Sequence, residues 1–350
     1  MFVRRAAITA AALALAAGSL SACGANDSGS GGSKTIALLL PESATTRYEA
    51  FDKPLFEAKV ADLCDSCDVK YYNADQDQTK QASQMDDAIS AGVDVIVLDP
   101  VNGEAAAANV QDAQAEKIPV IAYDRFIDGA DYYMSFDNEK VGELQAQALV
   151  DAVGGPGDIL MLNGAPDDPN AAQFKKGAHN VLDGSELTIV EEYDNPDWSP
   201  ENAEQFTTDQ LSKVDPSSLA GIYAANDGQA GGVIAALTGA GVSPDSLPPV
   251  TGQDAELAAI QRIVAGEQYM TVYKPIPVEA EKAAAVAVDV ANGDTVTDTT
   301  DFEGVPSFIF TPVVVTTDNV VDTVVKDEFY RVEDICTDDY ADACASAGLS

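Results

Sequence analysis

The sequence predicts an α/β protein of two lobes, each built on a doubly wound parallel sheet. Three observations carry that expectation. Short apolar runs alternate with Ala-rich amphipathic segments along most of the chain. The run at 93–98 reads as a strand of the buried parallel kind. The same rhythm also restarts near residue 158, so there are two such units rather than one. A chain of 350 residues, 46% of them hydrophobic, is long enough for two domains with separate cores.

In the first unit, residues 34–40 read as a strand. Residues 47–63 form a helix with Phe51, Leu55 and Phe56 on one face. Then come a strand at 69–72, a helix at 78–91, the strand at 93–98, a helix at 103–116 and a strand at 118–123. These are βαβ units, which place strands parallel and helices on both faces. Residues 132–136 form a further strand. Asp137 or Asn138 caps the next helix, which places Val141, Leu144, Ala148 and Leu149 on its apolar side. The second unit reads as strands at 158–162, 187–193, 220–224, 249–252 and 270–273. Helices at 171–182, 200–211, 228–238 and 255–265 lie between them. A long helix at 278–291 and extended segments around 307–316 follow.

The amino terminus reads as a targeting segment. Arg4 and Arg5 precede an apolar stretch at 6–20, which is too short for a membrane span. Leu20-Ser21-Ala22-Cys23 resembles a bacterial lipobox. That resemblance implies a signal at 1–22, a lipidated Cys23 as first mature residue, and a Gly/Ser-rich tether through residue 33. The alternative is an ordinary secretory signal cut elsewhere. Four cysteines remain, Cys64, Cys67, Cys336 and Cys344. An even number in an exported chain points to disulfides, the local pairs Cys64–Cys67 and Cys336–Cys344 being favoured among the three pairings. No metal or cofactor is expected, since the only histidine, His179, stands alone in the sequence.

A net charge of −39, from 58 acids against 19 bases, argues against nucleic acid, whose phosphates require Lys and Arg. Against that background the strand ends stand out. Asp124 and Arg125 follow the strand ending at Tyr123, Asn226 and Asp227 follow 220–224, and Gln253 and Asp254 follow 249–252. Lys274 follows 270–273, and Asp168 and Asn170 lie in the loop after 158–162. In open α/β sheets, ligands bind in the crevice at the carboxyl ends of strands. Asp and Asn at such places also cap helices, but five strand ends facing one cleft favour a shared site. Asp124, Asp168 and Asp254 balance Arg47, Arg125 and Lys274, which suits a neutral polyhydroxylated ligand. Each of its hydroxyls donates and accepts. Trp198, the only tryptophan, lies among polar and turn residues and is a candidate platform for the apolar face of a ring.

At these residues the chain resembles the periplasmic sugar-binding proteins of bacterial ABC importers, and within them the D-xylose-binding branch. The segments that carry the resemblance are AYDRFI (122–127), SFDNEKVGELQAQALVD (135–151), WSPENA (198–203), AANDGQAGG (224–232), GQDAELAAIQRIVAGEQ (252–268), MTVYKPI (270–276) and DTVVKDEF (322–329). They span residues 34–329 in the family's order. The resemblance implies a type I binding-protein fold with three hinge crossovers, near Asp137, 274–277 and 311–312. The lobes would be 34–137 with 276–311, and 138–275 with 312–335, leaving 336–350 as a tail. It also implies a monosaccharide site, D-xylose favoured over glucose, arabinose, ribose or galactose. Its residues would be Asp124, Arg125, Asp168, Asn170, Trp198, Asn226, Asp254 and Lys274. Arg47-Tyr48 would stand where the family has an Arg-Trp pair, with spacing to the next helix that differs by one residue. A smaller, more polar Tyr48 would then form one wall.

The implied protein is a monomer that gives its sugar to an ABC permease from the outer face of the cell membrane. A sensing subunit for a membrane receptor is the alternative. An enzyme is not expected, because G-x-S-x-G, H-E-x-x-H and P-loop motifs are missing from the sequence. The lipobox and the acidic charge argue against a repressor of this fold.

Overall fold

The computed structural model describes residues 33–349. Cys23 and the targeting segment lie outside the described residues. The first sheet starts with β1 (Lys34–Leu40), β2 (Cys67–Asn73), β3 (Val95–Leu98), β4 (Val120–Tyr123) and β5 (Tyr132–Phe136). A wide helical turn (Tyr48–Asp52) leads into α1 (Lys53–Leu63), and α2 (Gln78–Ser90) and α3 (Gly103–Ala115) link the next strands. The chain then enters α4 (Asn138–Val153), capped by the side chain of Asp137 on Lys140 N–H.

The second unit runs β6 (Gly157–Asn163), α5 (Pro169–Leu182), β7 (Leu187–Asp194), α6 (Pro200–Leu211), β8 (Leu219–Ala224), α7 (Asp227–Gly239), α8 (Leu257–Ala265) and β9 (Thr271–Tyr273). Helix α9 (Ile276–Asn292) follows, and the hairpin β10 (Thr300–Phe302) and β11 (Val305–Phe310) precedes β12 (Val313–Val315). Two short helices, α10 (Val332–Ile335) and α11 (Ala341–Ser346), end the fold.

The first sheet has the order β10-β11-β5-β4-β3-β1-β2. The alternation along its strands divides two cores. Ile36, Leu38, Val95 and Ile121 pack toward the alanine-rich face of α9, while Ala37, Leu39, Ile96 and Val120 pack toward Ala106 and Val110 of α3. The second sheet is β7-β6-β8, extended by bridges from Ile222 to Val250 and from Gln253 to Val272 toward the β9–β12 pair. The chain passes between the sheets three times: after β5 into α4, after β9 into α9, and after β11 into β12. Thus α9, entered from a strand of the second sheet, returns to pack on the first.

The described sheets are not wholly parallel. β10 runs antiparallel to β11, and β12 antiparallel to β9. Hairpin β10–β11 turns at Glu303-Gly304, both at positive φ, a local signal the sequence reading passed over. The strand expected at 249–252 is reduced to a single bridge at Val250, and the next bridge, at Gln253, pairs with Val272 instead. Residues 336–349, read from the sequence as a tail, fold back onto α8. Ile335, Cys344 and Leu349 are buried with Ile260 and Ile263. Cys64 is bonded to Cys67 and Cys336 to Cys344.

Candidate functional site

The ten residues singled out from the sequence line one narrow cavity between the sheets. Each of the ten is at most 5% exposed. Thr45, Phe174 and Gln253 complete the lining. Asp227, the other polar residue at the end of β8, is not part of it. Its carboxylate turns inward to Thr271 Oγ1 (2.8 Å), Gln268 Nε2 (2.7 Å) and Glu256 N–H (2.9 Å), tying α7 to α8 and β9.

Asp124 and Arg125 come from the carboxyl end of β4. Asp124 sits at φ +55°, in the left-handed region, and its N–H donates to Met134 O on the neighbouring strand. Its carboxylate accepts from Arg47 Nη1 at 3.0 Å and lies 3.9 Å from Lys274 Nζ. Burial alone would raise its pKa; the charges of Arg47, Lys274 and Arg125 outweigh burial and hold it below the usual carboxylate range. Arg47, before the first helix, is gripped from behind. It donates to Asp52 through Nε (2.9 Å) and Nη2 (2.7 Å), and through Nη2 to Glu279 Oε2 of α9 (2.8 Å). Tyr123 OH also donates to Asp52. Arg125 donates to Pro100 O (3.0 Å) and Tyr48 OH (3.3 Å).

The other side of the cavity comes from the second sheet. Asp168 caps α5, accepting from Asn170 N–H at 2.8 Å, and its second oxygen accepts from Trp198 Nε1 at 3.1 Å. Burial raises the Asp168 pKa, with Arg125 pulling it back. Asn170 Nδ2 crosses the cleft to Asp124 O (3.1 Å), and Arg125 Nε lies 2.9 Å from Asp168 Oδ2. Both contacts join one lobe's half to the other. Asn226 caps α7 through its Oδ1. Asp254 sits at φ +91°, followed by Ala255 at +52°, and lies 2.9 Å from Lys274 Nζ. Lys274, at the end of β9, is also over the rings of Phe136 and Phe174, 5.7 Å from each centroid.

Trp198 adopts φ +63° and packs edge-on to Phe174, with centroids 6.2 Å apart. A Cβ at Gly164 would lie 2.0 Å from its ring, so only glycine lets the indole reach the cavity wall. Helix α5 is placed by an equally close approach. Gly142 of α4 and Gly177 of α5 each face the other helix's backbone, where a Cβ would come within 1.9 Å of a carbonyl oxygen. Phe174, Asp168 and Asn170 therefore hang from a helix with little freedom to shift.

Asp52, Glu279, Asp99, Thr45 and Phe174 carry no mark in the sequence reading, and Gln253 stands there as a strand-end residue but not among the ten contacts. Asp99 could have been found, because it follows β3 as Asp124 follows β4. Asp52 and Glu279 carry no local signal; each reads as an ordinary helix acid. The lining thus holds three cations and three carboxylates. Asn170 Oδ1 and Gln253 Oε1 are buried acceptors without a partner among the described residues. The arrangement can receive hydroxyl hydrogens on carboxylate and amide oxygens and offer N–H donors to their lone pairs. It presents no excess charge to an anion or a cation.

A profile described as "Periplasmic binding protein domain" matches residues 36–295. The chain belongs to the periplasmic binding protein family. Among its relatives, the "D-xylose-binding periplasmic protein" of Escherichia coli (strain K12) is 41% identical over 294 residues, covering 81% of this chain and 87% of the relative. The "Multiple sugar-binding periplasmic receptor" of Rhizobium radiobacter is 32% identical over 333 residues, covering 86% and 92%. The crystal structure of a carbohydrate transporter solute-binding protein from Chloroflexus aurantiacus, in complex with D-glucose, superposes with a TM-score of 0.77 at 28% identity, covering 86% of this chain and 98% of that one. The two-lobed fold with three crossovers is therefore that of a type I periplasmic binding protein. These relatives are binding proteins that work outside the cytoplasm, and this binding protein is not an enzyme.

Proposed function

We propose that this chain captures a neutral monosaccharide, D-xylose first, between its lobes and delivers it to an ABC permease. The observation that carries the reading is the balanced lining. Asp124, Asp168 and Asp254 face Arg47, Arg125 and Lys274 in a cavity drawn from both lobes, within a chain of net charge −39. Hydrogen bonds to charged partners contribute about 1.5–3 kcal/mol each, enough for a few to hold a small sugar. The name of the Escherichia coli relative supports D-xylose, and the Rhizobium relative's name leaves other aldoses as alternatives. The proposed contacts are the ten residues above, with Trp198 and Tyr48 beside the ring.

The proposed lobes are 34–137 with 276–311, and 138–275 with 312–335. Sugar bridging both halves favours the closed form over the open one, which is how binding becomes a signal to the permease. Lipidated Cys23 would hold a monomer at the outer face of the cell membrane. Fluorescence of Trp198, the chain's single tryptophan, tests the binding. Titration with xylose, glucose, arabinose, ribose and galactose should give a saturable change, strongest with xylose. No response in fluorescence or calorimetry to any of the five would contradict the reading. Mass spectrometry of the mature amino terminus should find acyl groups on Cys23; a free amino terminus elsewhere would remove the anchor.

A further inference from the structure

Arg125 is shared between two acids. Its Nε lies 2.9 Å from Asp168 Oδ2 and 3.5 Å from Asp99 Oδ1. The two pairs differ in one respect that matters. Asp168 belongs to the second sheet's side of the cleft, so its pair with Arg125 spans the lobes. Asp99 ends β3, whose neighbour β4 carries Arg125, so this pair stays within one lobe and moves as a unit.

Asp99 is 0% exposed, and neither carboxylate oxygen has a hydrogen-bond partner among the described residues. Its backbone is fixed on both sides. Asp99 N–H donates to Leu39 O at 2.9 Å, and its carbonyl accepts from Gln81 Nε2 at 2.8 Å. A buried polar group left without a partner costs about 1–3 kcal/mol, and more when charged. The lining itself does not include this carboxyl, so direct contact with the ligand does not account for it.

We propose that Asp99 is a positioning residue for Arg125: its counter-charge keeps the guanidinium aimed into the cleft when the lobes part and Asp168 is drawn away. The inference rests on the proposed sugar-binding reading and deepens it. The groups that accept hydrogen bonds from Arg125 on its own lobe, Pro100 O and Tyr48 OH, are neutral. Without Asp99, the open form would leave Arg125 Nε with no carboxylate in contact, since Asp124 and Glu42 of the same lobe act on it only from beyond ion-pair distance. On closure Asp168 takes Nε at the shorter distance and Asp99 is left buried beside a shared cation.

The groups that face Asp99 are the cations Arg125 and Arg47, the anions Asp124 and Asp168, and the phenol of Tyr48. Burial pushes the Asp99 carboxyl well above the usual range; Arg125 opposes the rise and Asp124 adds to it. Closure brings the Asp168 carboxylate toward Asp99, and that like charge favours a proton on Asp99. A group that binds its proton more tightly in the closed form makes sugar affinity highest at low pH. That advantage is lost as pH rises through the closed-form pKa.

The test uses the wild-type chain and Asp99→Asn, which keeps the shape and removes the charge. Stopped-flow Trp198 fluorescence with D-xylose gives association and dissociation rates. Calorimetry in two buffers of different ionisation heat gives proton uptake. Asp99→Asn should slow association about tenfold, the scale of leaving one Arg side chain unordered, and change dissociation by less than about threefold. It should also abolish proton uptake. If the wild type binds sugar and Asp99→Asn matches it in both rates and in proton uptake, the Asp99 assignment is overturned and the sugar reading stands. A lowered melting temperature with unchanged association rate would overturn it as well, since that is the mark of a structural role. If the wild type binds no sugar, both readings fall.

Discussion

The two lobes bring charge to the same cavity by different means. The first lobe holds its side chains with other charges. Arg47 is clamped by Asp52 and Glu279 before it reaches Asp124, and Arg125 has Asp99 behind it. The second lobe holds its side chains mostly with backbone. Asp168 and Asn226 are helix caps, and Asp254 and Trp198 occupy left-handed conformations that non-glycine residues adopt at a cost. One half of the site rests mainly on an ionic network, and the other mainly on backbone-defined positions alongside the Asp254–Lys274 ion pair. The difference teaches which perturbation each half tolerates. Removing one charge should disturb the first lobe well beyond the site, whereas the second lobe should lose binding while keeping its fold.

The largest effect should come from Arg47→Ala. It leaves Asp52, Glu279 and Asp124 buried without their cation, and breaking a buried pair costs about 3–5 kcal/mol. The melting temperature should fall on the order of 10 °C, and sugar binding should be lost with it. A fall of only a degree or two by calorimetry would show that the network is not what holds this half.

Asp254→Asn is the matching change in the second lobe. Asn tolerates the left-handed backbone that Asp254 occupies. Affinity should drop by about 10- to 150-fold, the equivalent of one charged hydrogen bond, while the melting temperature should fall by less than in Arg47→Ala, because Lys274 Nζ keeps Asp124 at 3.9 Å. Loss of fold instead of affinity would erase the contrast between the lobes. Gly164→Ala should come next. A methyl group 2.0 Å from the Trp198 ring must displace it, at about 1–3 kcal/mol of overpacking. Trp198 emission should shift and affinity should weaken. An unchanged spectrum would mean the indole is not pinned there.

The smallest effect concerns Glu256, at the start of α8. Burial, with the charge of Asp254 adding to it, raises its pKa to about 7, while Arg262 pulls the other way. A carboxyl whose folded pKa lies above its unfolded value supports stability at low pH. That support is lost as pH rises from about 4.3 through 7. Glu256→Gln should therefore raise the melting temperature more at pH 8 than at pH 5. An equal change at both would show that Glu256 titrates normally.

This contrast also explains what the sequence could tell. The second lobe's site residues were legible because caps and strand ends are local features. Asp168, Asn226, Asp254 and Lys274 all follow apolar runs. Asp124 and Arg125 were legible for the same reason. The clamp on Arg47 was not, because Glu279 is 232 residues away in sequence and sits on a helix that returns from the other lobe. The left-handed turns at Trp198 and Asp254 were hidden too, since Trp rarely adopts positive φ and most Asp residues, though enriched there, do not. In the fold, the parallel core strands were readable from continuous apolar runs. The antiparallel edges were not, because β10 and β12 are only three residues long and take their partners from distant segments. The apolar residues among 336–349 are mostly small, with Tyr340 and Leu349 the large ones, and so do not look like core. They become core only because Cys344 and Leu349 meet α8.

The most direct measurement is a crystal structure of the chain grown with D-xylose. One sugar ring should be enclosed between Asp124 and Arg125 on one side and Asn226, Asp254 and Lys274 on the other, with Trp198 beside it. Sugar held by one lobe alone, or lodged outside this cavity, would contradict a site shared between the lobes.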